Sequence, residues 1–270
     1  MSDNQSKIEI GIIGGSGFYE FLENGEEVEI ETPWGKPSDK IVIGEVAGKK
    51  VAFLPRHGKK HHLPPHRVPY QANVAALKQL GVKYLIAPSS CGSLQPHIKP
   101  GDFVICDQFI DRTHSRPDTY YHGPEVVHLI GAEPYCPTLR QIAINVCQKL
   151  AIPHHQSGTV VVINGPRFST KMESLWFTRS GFSVVNMTQY PEVVLAREQE
   201  ICYVNISLTT DYDAGVIAEE KILPVDIKTV LATFKNNIEK VKAVIREMIK
   251  ELPPEKLTCD CQEILKKSKI

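Results

Sequence analysis

The chain has 270 residues, 42% of them hydrophobic, and no linker or repeat, which suits one α/β domain with a full core. Thirty-one basic residues balance thirty-one acidic ones, so no net field draws the chain to nucleic acid or to an anionic membrane, and neither is expected as a partner. Met1 to Lys7 lack the apolar core of a signal peptide, and no run approaches the roughly 20 apolar residues of a membrane span, so a cytoplasmic location is expected.

Ile8 to Ile13 is an apolar, β-branched run that stops at Gly14, Gly15, Ser16 and Gly17, as a buried strand does at a tight turn. A dinucleotide fingerprint would need glycine where Glu20 stands, and the Lys-Ser/Thr ending of a nucleotide P-loop is absent. What remains is a turn with exposed amides and one hydroxyl, suited to a small oxyanion. Val51 to Leu54 then runs into Arg56, His57 and Gly58; an arginine at a strand end supplies a planar fork that binds phosphate bidentately. With no accompanying lysine motif, inorganic phosphate is expected rather than a nucleoside triphosphate. His61, His62 and His66 do not make a metal site, because Pro64 and Pro65 prevent the helix that would align them and no Cys or carboxylate completes a set. No metal is expected.

Val74, Leu77 and Leu80 recur at helical spacing before Gly81, and Tyr84 to Ala87 is a strand running into Ser89, Ser90, Cys91 and Gly92. Leu139, Ile142, Ala143, Val146 and Leu150 mark a helix after Pro137; Val160 to Ile163 is a strand ending at Asn164 to Phe168. Thr170 and Glu173 form a capping box, Val184 and Val185 lead to Asn186, Met187 and Thr188, and Val204 to Leu208 lead to Thr209 through Asp213. Asp226 opens an amphipathic helix that carries Val230, Phe234, Ile238, Val241, Ile245 and Ile249 and closes at Pro253 and Pro254. Strands alternating with helices give the α/β class. Ligands of such sheets bind beyond the carboxyl ends of the strands, so six polar strand ends are candidates to converge on one pocket for a small polar substrate.

These segments occur in an order that resembles the 5'-methylthioadenosine phosphorylases, within the trimeric purine nucleoside phosphorylase family. The motifs are Gly11 to Gly17, Arg56-His57-Gly58, Cys91 to Leu94, Pro100-Gly101-Asp102 with Asp107 to Thr113, Gly165 to Ser169, Asn186-Met187-Thr188, Pro191 to Ala196 and Thr210 to Asp213, covering about residues 10 to 250. The resemblance implies a single-domain nucleoside phosphorylase fold over residues 1–270, a central mixed β-sheet flanked by helices, with 253–270 as a C-terminal tail. It implies phosphorolysis of 5'-methylthioadenosine to adenine and 5-methylthioribose 1-phosphate, a step of purine and methionine salvage. No cofactor is implied; inorganic phosphate is the co-substrate, and the assembly is a homotrimer or a dimer of trimers.

Carried over by motif, Ser16, Arg56, His57, Ser89 and Thr188 would hold phosphate, with Ser90 beside it. Ser16 and Ser89 stand where relatives often carry threonine, and each keeps the hydroxyl. Met187 would pack under the ribose, Phe168 against the base, and Asp211, Tyr212 and Asp213 would address the purine. Cleaving an N-glycosidic bond builds positive charge on the sugar and negative charge on the leaving base. Phosphate answers the first, and a carboxylic acid kept protonated by burial and a like-charged neighbour answers the second; Asp211 beside Asp213 is the catalytic candidate.

Relatives that prefer 6-oxopurines carry a glutamate at the position of Ser169 and an asparagine at that of Asp211. The carboxylates here suit the amino group of a 6-aminopurine. A broader or 6-oxopurine nucleoside phosphorylase, acting on adenosine, inosine or guanosine, is the alternative, and a catalytically silent binding protein is the reading from another class. His128 resembles a family histidine that reaches a neighbouring subunit's 5' pocket, and Val225 and Leu231 resemble that pocket's lining, although Leu231 also has the helical spacing of core. Of the seven cysteines, Cys259 and Cys261 resemble the C-terminal CXC of some disulfide-bearing relatives from hot environments. Cys136 and Cys202 could also pair, and such bridges would confer thermostability; solvated thiols in a frayed tail are the other account.

Overall fold

A computed structural model describes residues 8–15, 22–216, 227–253 and 258–269; the side chains of residues 23–24 and 227–236 are outside that description. The strands are β1 (Ile10–Gly14), β2 (Glu23–Val28), β3 (Ile41–Val46), β4 (Lys49–Pro55), β5 (Tyr84–Ser93), β6 (Phe103–Val104), β7 (Gln108–Arg112), β8 (His154–His155), β9 (Thr159–Ile163), β10 (Val184–Asn186) and β11 (Cys202–Tyr212). The helices are α1 (Tyr70–Gln79), α2 (Pro137–Lys149), α3 (Lys171–Arg179), α4 (Gln189–Glu198), α5 (Ile227–Lys250) and α6 (Leu265–Ser268).

All described strands join one mixed sheet in the order β2-β3-β4-β1-β5-β10-β9-β7, with β11 on β5 and then β6 and β8. The expected α/β architecture is present. The central strands are apolar on both sides because both sides are covered. Val51 and Phe53 of β4, Tyr84 and Ile86 of β5, and Cys202, Val204, Ile206 and Leu208 of β11 pack with α2 and α5. The intervening Ala52 and Leu54, Leu85 and Ala87, and Tyr203 pack with α1 and α4 on the other face. The period of two within each strand therefore sorts one apolar run into two cores.

Two expectations about strand ends are corrected. Chain that reads as a turn after Ala87 and after Leu208 continues as strand, because the polar residues of β5 and β11 pair with each other from Cys202↔Tyr84 to Tyr212↔Ser93. The Glu-rich β2, the mostly exposed β7 and the two-residue β6 and β8 carry little apolar periodicity, so they are visible only as sheet partners. The capping box is present: the Thr170 hydroxyl accepts from Glu173 N–H while the Glu173 carboxylate accepts from Thr170 N–H.

The C-terminal segment is packed rather than frayed. Cys261 and Ile264 are buried, Thr258 N–H donates to Thr138 Oγ1 at 3.0 Å, and Lys269 bridges to Val127. This docking brings Cys259 and Cys261 over Cys136, which caps α2, and over Cys202, which opens β11. The backbone bond from Cys136 N–H to Tyr203 O, 2.9 Å, ties those two elements together. The four sulfurs lie within 4.8 Å of one another, with Cys136 to Cys259 at 3.5 Å and Cys202 to Cys259 at 3.7 Å. All seven cysteines are free thiols here, and the four sulfurs stand side by side without a bond between them. The separations exceed the roughly 2.05 Å of an S–S bond.

Treating the native protein with an excess of a small-molecule disulfide is expected to remove four of the seven thiols titratable after denaturation, and to raise Tm by on the order of 5 °C. Seven titratable thiols and an unmoved Tm would show that the cluster does not oxidise.

Candidate active site

Strand ends from the middle of the sheet converge on one cavity of about 350 Å³. Gly15 follows β1, Arg56 and His57 follow β4, Ser89 to Gly92 belong to β5, Phe168 and Ser169 follow β9, Met187 and Thr188 follow β10, and Thr210, Asp211 and Asp213 belong to or follow β11. The convergence read from the polar strand ends is therefore found. The cavity is of a size that buries a small ligand.

Arg56 is buried and almost fully engaged. Its Nε donates to Glu192 Oε2 at 2.6 Å and its Nη2 to Glu192 Oε1 at 2.9 Å and to Ile13 O at 2.9 Å, while Nη1 donates to Pro88 O at 3.2 Å. Burial opposes its charge, but the adjacent Glu192 outweighs burial and holds the guanidinium above its ordinary pKa. The bidentate fork that sequence assigns to phosphate is thus taken by Glu192, itself buried and accepting from Tyr203 O–H at 2.8 Å. Among the described residues, one Nη1 N–H of Arg56 remains for a ligand. His57 is pushed down to about 4 by burial and by Arg56, so it is neutral near pH 7. Its Nδ1 lies 2.8 Å from Leu63 O; the proton assigned to that bond leaves Nε2 as an acceptor.

A buried polar chain lies beneath Ser89. Asn205 Nδ2 donates to Ser89 Oγ at 3.0 Å and to Ala87 O at 2.6 Å, and Asn186 Nδ2 donates to Ser89 Oγ at 3.2 Å. Ser207 O–H donates to Asn205 Oδ1 at 2.8 Å and accepts from Gln189 Nε2 at 2.9 Å; Tyr135 O–H closes the chain on Gln189 Oε1. Buried polar groups are tolerated when they satisfy one another, and this chain fixes the Ser89 side chain.

The acidic side of the cavity owes its aim to a β-bulge. Pairing with β5 steps from Thr209↔Cys91 to Asp211↔Gly92, leaving Thr210 as the extra residue. Leu208 and Thr210 line the cavity before the bulge, and Asp211 and Asp213 line it after; strict alternation would have sent Asp211 to the opposite face. Burial, reinforced by the neighbouring Asp213, raises the Asp211 carboxyl to about 6 against the pull of its bond from Thr210 O–H at 2.6 Å. Burial raises Asp213 as well. Asp213 Oδ2 and Ser169 Oγ are buried without a hydrogen-bond partner among the described residues, and both residues line the cavity, which suits recognition of a polar ligand edge. Phe168 is 48% exposed, an uncovered aromatic at the mouth.

Met187 is fixed from behind. Gly165 holds φ at +63°, a conformation that favours glycine, and a Cβ there would lie 2.6 Å from Met187 Sδ and displace it. Arg116, a residue with no sequence signal, donates to Met187 O at 3.0 Å, Asn164 O at 2.7 Å and Tyr190 O at 2.5 Å, holding the ends of β9 and β10 together. Glu192, Asn186 and Asn205 were also not singled out as site residues. Asn205 carries a signal as a polar residue inside the apolar run Val204 to Leu208, whereas Asn186 and Glu192 stand at the edges of theirs.

Other expected site residues fall elsewhere. Tyr212 is turned away by the bulge, its hydroxyl donating to Pro96 O at 3.2 Å, so its expected place in the substrate site is corrected. His128 is exposed and outside this cavity, its N–H bonded to Ser268 O. Ser16 and Val225 lie outside the described residues, and Leu231 lies in α5 with its side chain outside the description.

Residues 9–250 match the family model described as the phosphorylase superfamily. An S-methyl-5'-thioadenosine phosphorylase of Thermofilum pendens is 49% identical over 98% of this chain and 99% of its own. A protein of Streptomyces coelicolor named purine nucleoside phosphorylase is 46% identical over 93% and 91%. Among solved structures, the methylthioadenosine phosphorylase of Schistosoma mansoni in complex with adenine superposes with a TM-score of 0.90 at 38% identity, covering 97% of this chain and 99% of that one.

A carboxyl raised on folding contributes stability that is fully present below its unfolded pKa, near 4, and lost as pH rises through the folded value of about 6. Asp211→Asn removes this dependence. Between about pH 4 and pH 7 the variant is expected to gain up to about 3 kcal/mol on the parent in denaturant unfolding; parallel curves would place the Asp211 carboxyl at its ordinary pKa.

Proposed function

The chain belongs to the phosphorylase superfamily, and on that premise we propose that it cleaves 5'-methylthioadenosine with phosphate to give adenine and 5-methylthioribose 1-phosphate. The observation that carries the specificity is the pair Asp211 and Asp213 beside Ser169 in one cavity. A 6-aminopurine offers an N–H donor to a carboxylate where a 6-oxopurine would bring a second acceptor.

In this reading phosphate lies toward Arg56, His57, Ser89, Ser90 and Thr188, and Ser16 is the further hydroxyl that the motif assigns to it. The Nη1 N–H of Arg56 and the hydroxyls donate to it, and the O–H of hydrogen phosphate donates to the bare Nε2 of His57. Met187 packs under the ribose and Phe168 lies against the base. As the glycosidic bond lengthens, the phosphate dianion stabilises the positive sugar and attacks its anomeric carbon, while protonated Asp211 donates to the imidazole-ring nitrogen of the departing adenine. Because Glu192 already compensates Arg56, a bound dianion adds negative charge beside Asp211 and raises its pKa further. The co-substrate thus favours the protonated acid.

The same reading makes the protein a single-domain cytoplasmic enzyme without cofactor, assembled as a homotrimer or a dimer of trimers, with His128 serving a neighbouring subunit. The Streptomyces relative favours a second reading, a purine nucleoside phosphorylase of broader choice.

Base release from 5'-methylthioadenosine, adenosine and inosine, each with and without phosphate, separates the two. Phosphate-dependent adenine release, fastest from methylthioadenosine, is expected; preference for inosine would favour the second reading, and release without phosphate would make the protein a hydrolase. Asp211→Ala is expected to lose roughly 10²- to 10⁴-fold in kcat while keeping the parent's circular dichroism; near-normal turnover would remove Asp211 from the acid's role.

A further inference from the structure

We propose that Glu192 is a positioning residue for phosphate: it holds Arg56 by the Nε and Nη2 edge, so that only Nη1 is presented to the co-substrate. The inference rests on the phosphorolysis reading. A free arginine would meet phosphate with two parallel N–H groups, but here that edge is closed by two bonds to the Glu192 carboxylate, at 2.6 and 2.9 Å.

The clamp is itself built in. Glu192 is 0% exposed on α4, and Tyr203 of β11 donates its hydroxyl to Glu192 Oε1 at 2.8 Å. Ile13 O of β1 takes the second Nη2 proton and Pro88 O of β5 takes one Nη1 proton. Three strands and a helix therefore set one guanidinium in a single orientation. A buried ion pair contributes little net stability after its desolvation cost, so retaining this one at the edge of the cavity has its explanation in the direction of the remaining N–H. A displacement of about 1 Å at such a contact is enough to cost catalysis heavily.

The test is steady-state kinetics with phosphate and 5'-methylthioadenosine varied in turn. Glu192→Gln keeps the shape, but its amide N–H faces an Arg56 N–H and one bond of the clamp is lost. The phosphate KM is expected to rise roughly tenfold or more, with the nucleoside KM within about twofold of the parent's. In an Arg56→Lys background the same change should add nothing, because Glu192 acts through the guanidinium. Tyr203→Phe, which leaves the carboxylate in place, should raise the phosphate KM by a smaller factor in the same direction, and it carries the test alone if the glutamine variant does not fold. An unchanged or lowered phosphate KM, or equal rises in both KM values, would overturn the proposal. Absence of phosphate dependence in the parent would overturn the phosphorolysis reading first and this inference with it, so the two failures are told apart before any variant is made.

Discussion

The parallel pairing of β5 with β11 is the constraint on which the cavity depends. It runs from Tyr84↔Cys202 to Ser93↔Tyr212, beginning in the apolar core and ending among hydroxyls and carboxylates. Every residue on either strand inherits its face from this register, because a slip of one residue reverses all side chains. The single interruption, at Thr210, reverses only the residues beyond it, and so Asp211 and Asp213 share the cavity with Leu208 and Thr210. The bulge brings the acidic groups onto the face of Leu208 and Ser90, in the same cavity as Arg56 and Ser89.

The second consequence is chemical. Past Tyr203, the face of β11 that packs with α1 and α4 changes from apolar to polar, with Asn205 and Ser207 both fully buried. Two amides, a serine hydroxyl and Gln189 satisfy one another there, and the pattern ends at Ser89. An apolar face would have packed as well but would have left the Ser89 hydroxyl free to rotate. The fold gives up simple packing beneath the cavity and gains fixed directions at its floor.

Charge is managed in the same way. Arg56 brings one positive charge to the cavity and Glu192 neutralises it at contact distance, while two aspartates line the other end with raised pKa values. Attraction by net charge is therefore small. Affinity for an anion has to come from aimed hydrogen bonds, and retention of a proton on Asp211 follows from its burial, reinforced by Asp213. The same economy of charge lets one small cavity hold a phosphate and a proton donor together.

Much of this was legible in the sequence. Apolar runs ending in polar clusters identified the central strands and the composition of the cavity, and the order of the motifs from Gly11 to Asp213 identified the family. These signals are local: a run, a cap or a motif states its meaning within about ten residues. Tertiary structure alone decided what depends on partners distant in sequence. The partner of the Arg56 fork is 136 residues away. Tyr212 and Asp211 look equivalent in the sequence, and only the register against β5 separates them. Cys136 and Cys259, 123 residues apart, meet because the C-terminal segment docks rather than frays. Residue type is written in the chain one position at a time, whereas the direction in which a side chain points belongs to the pairing of strands.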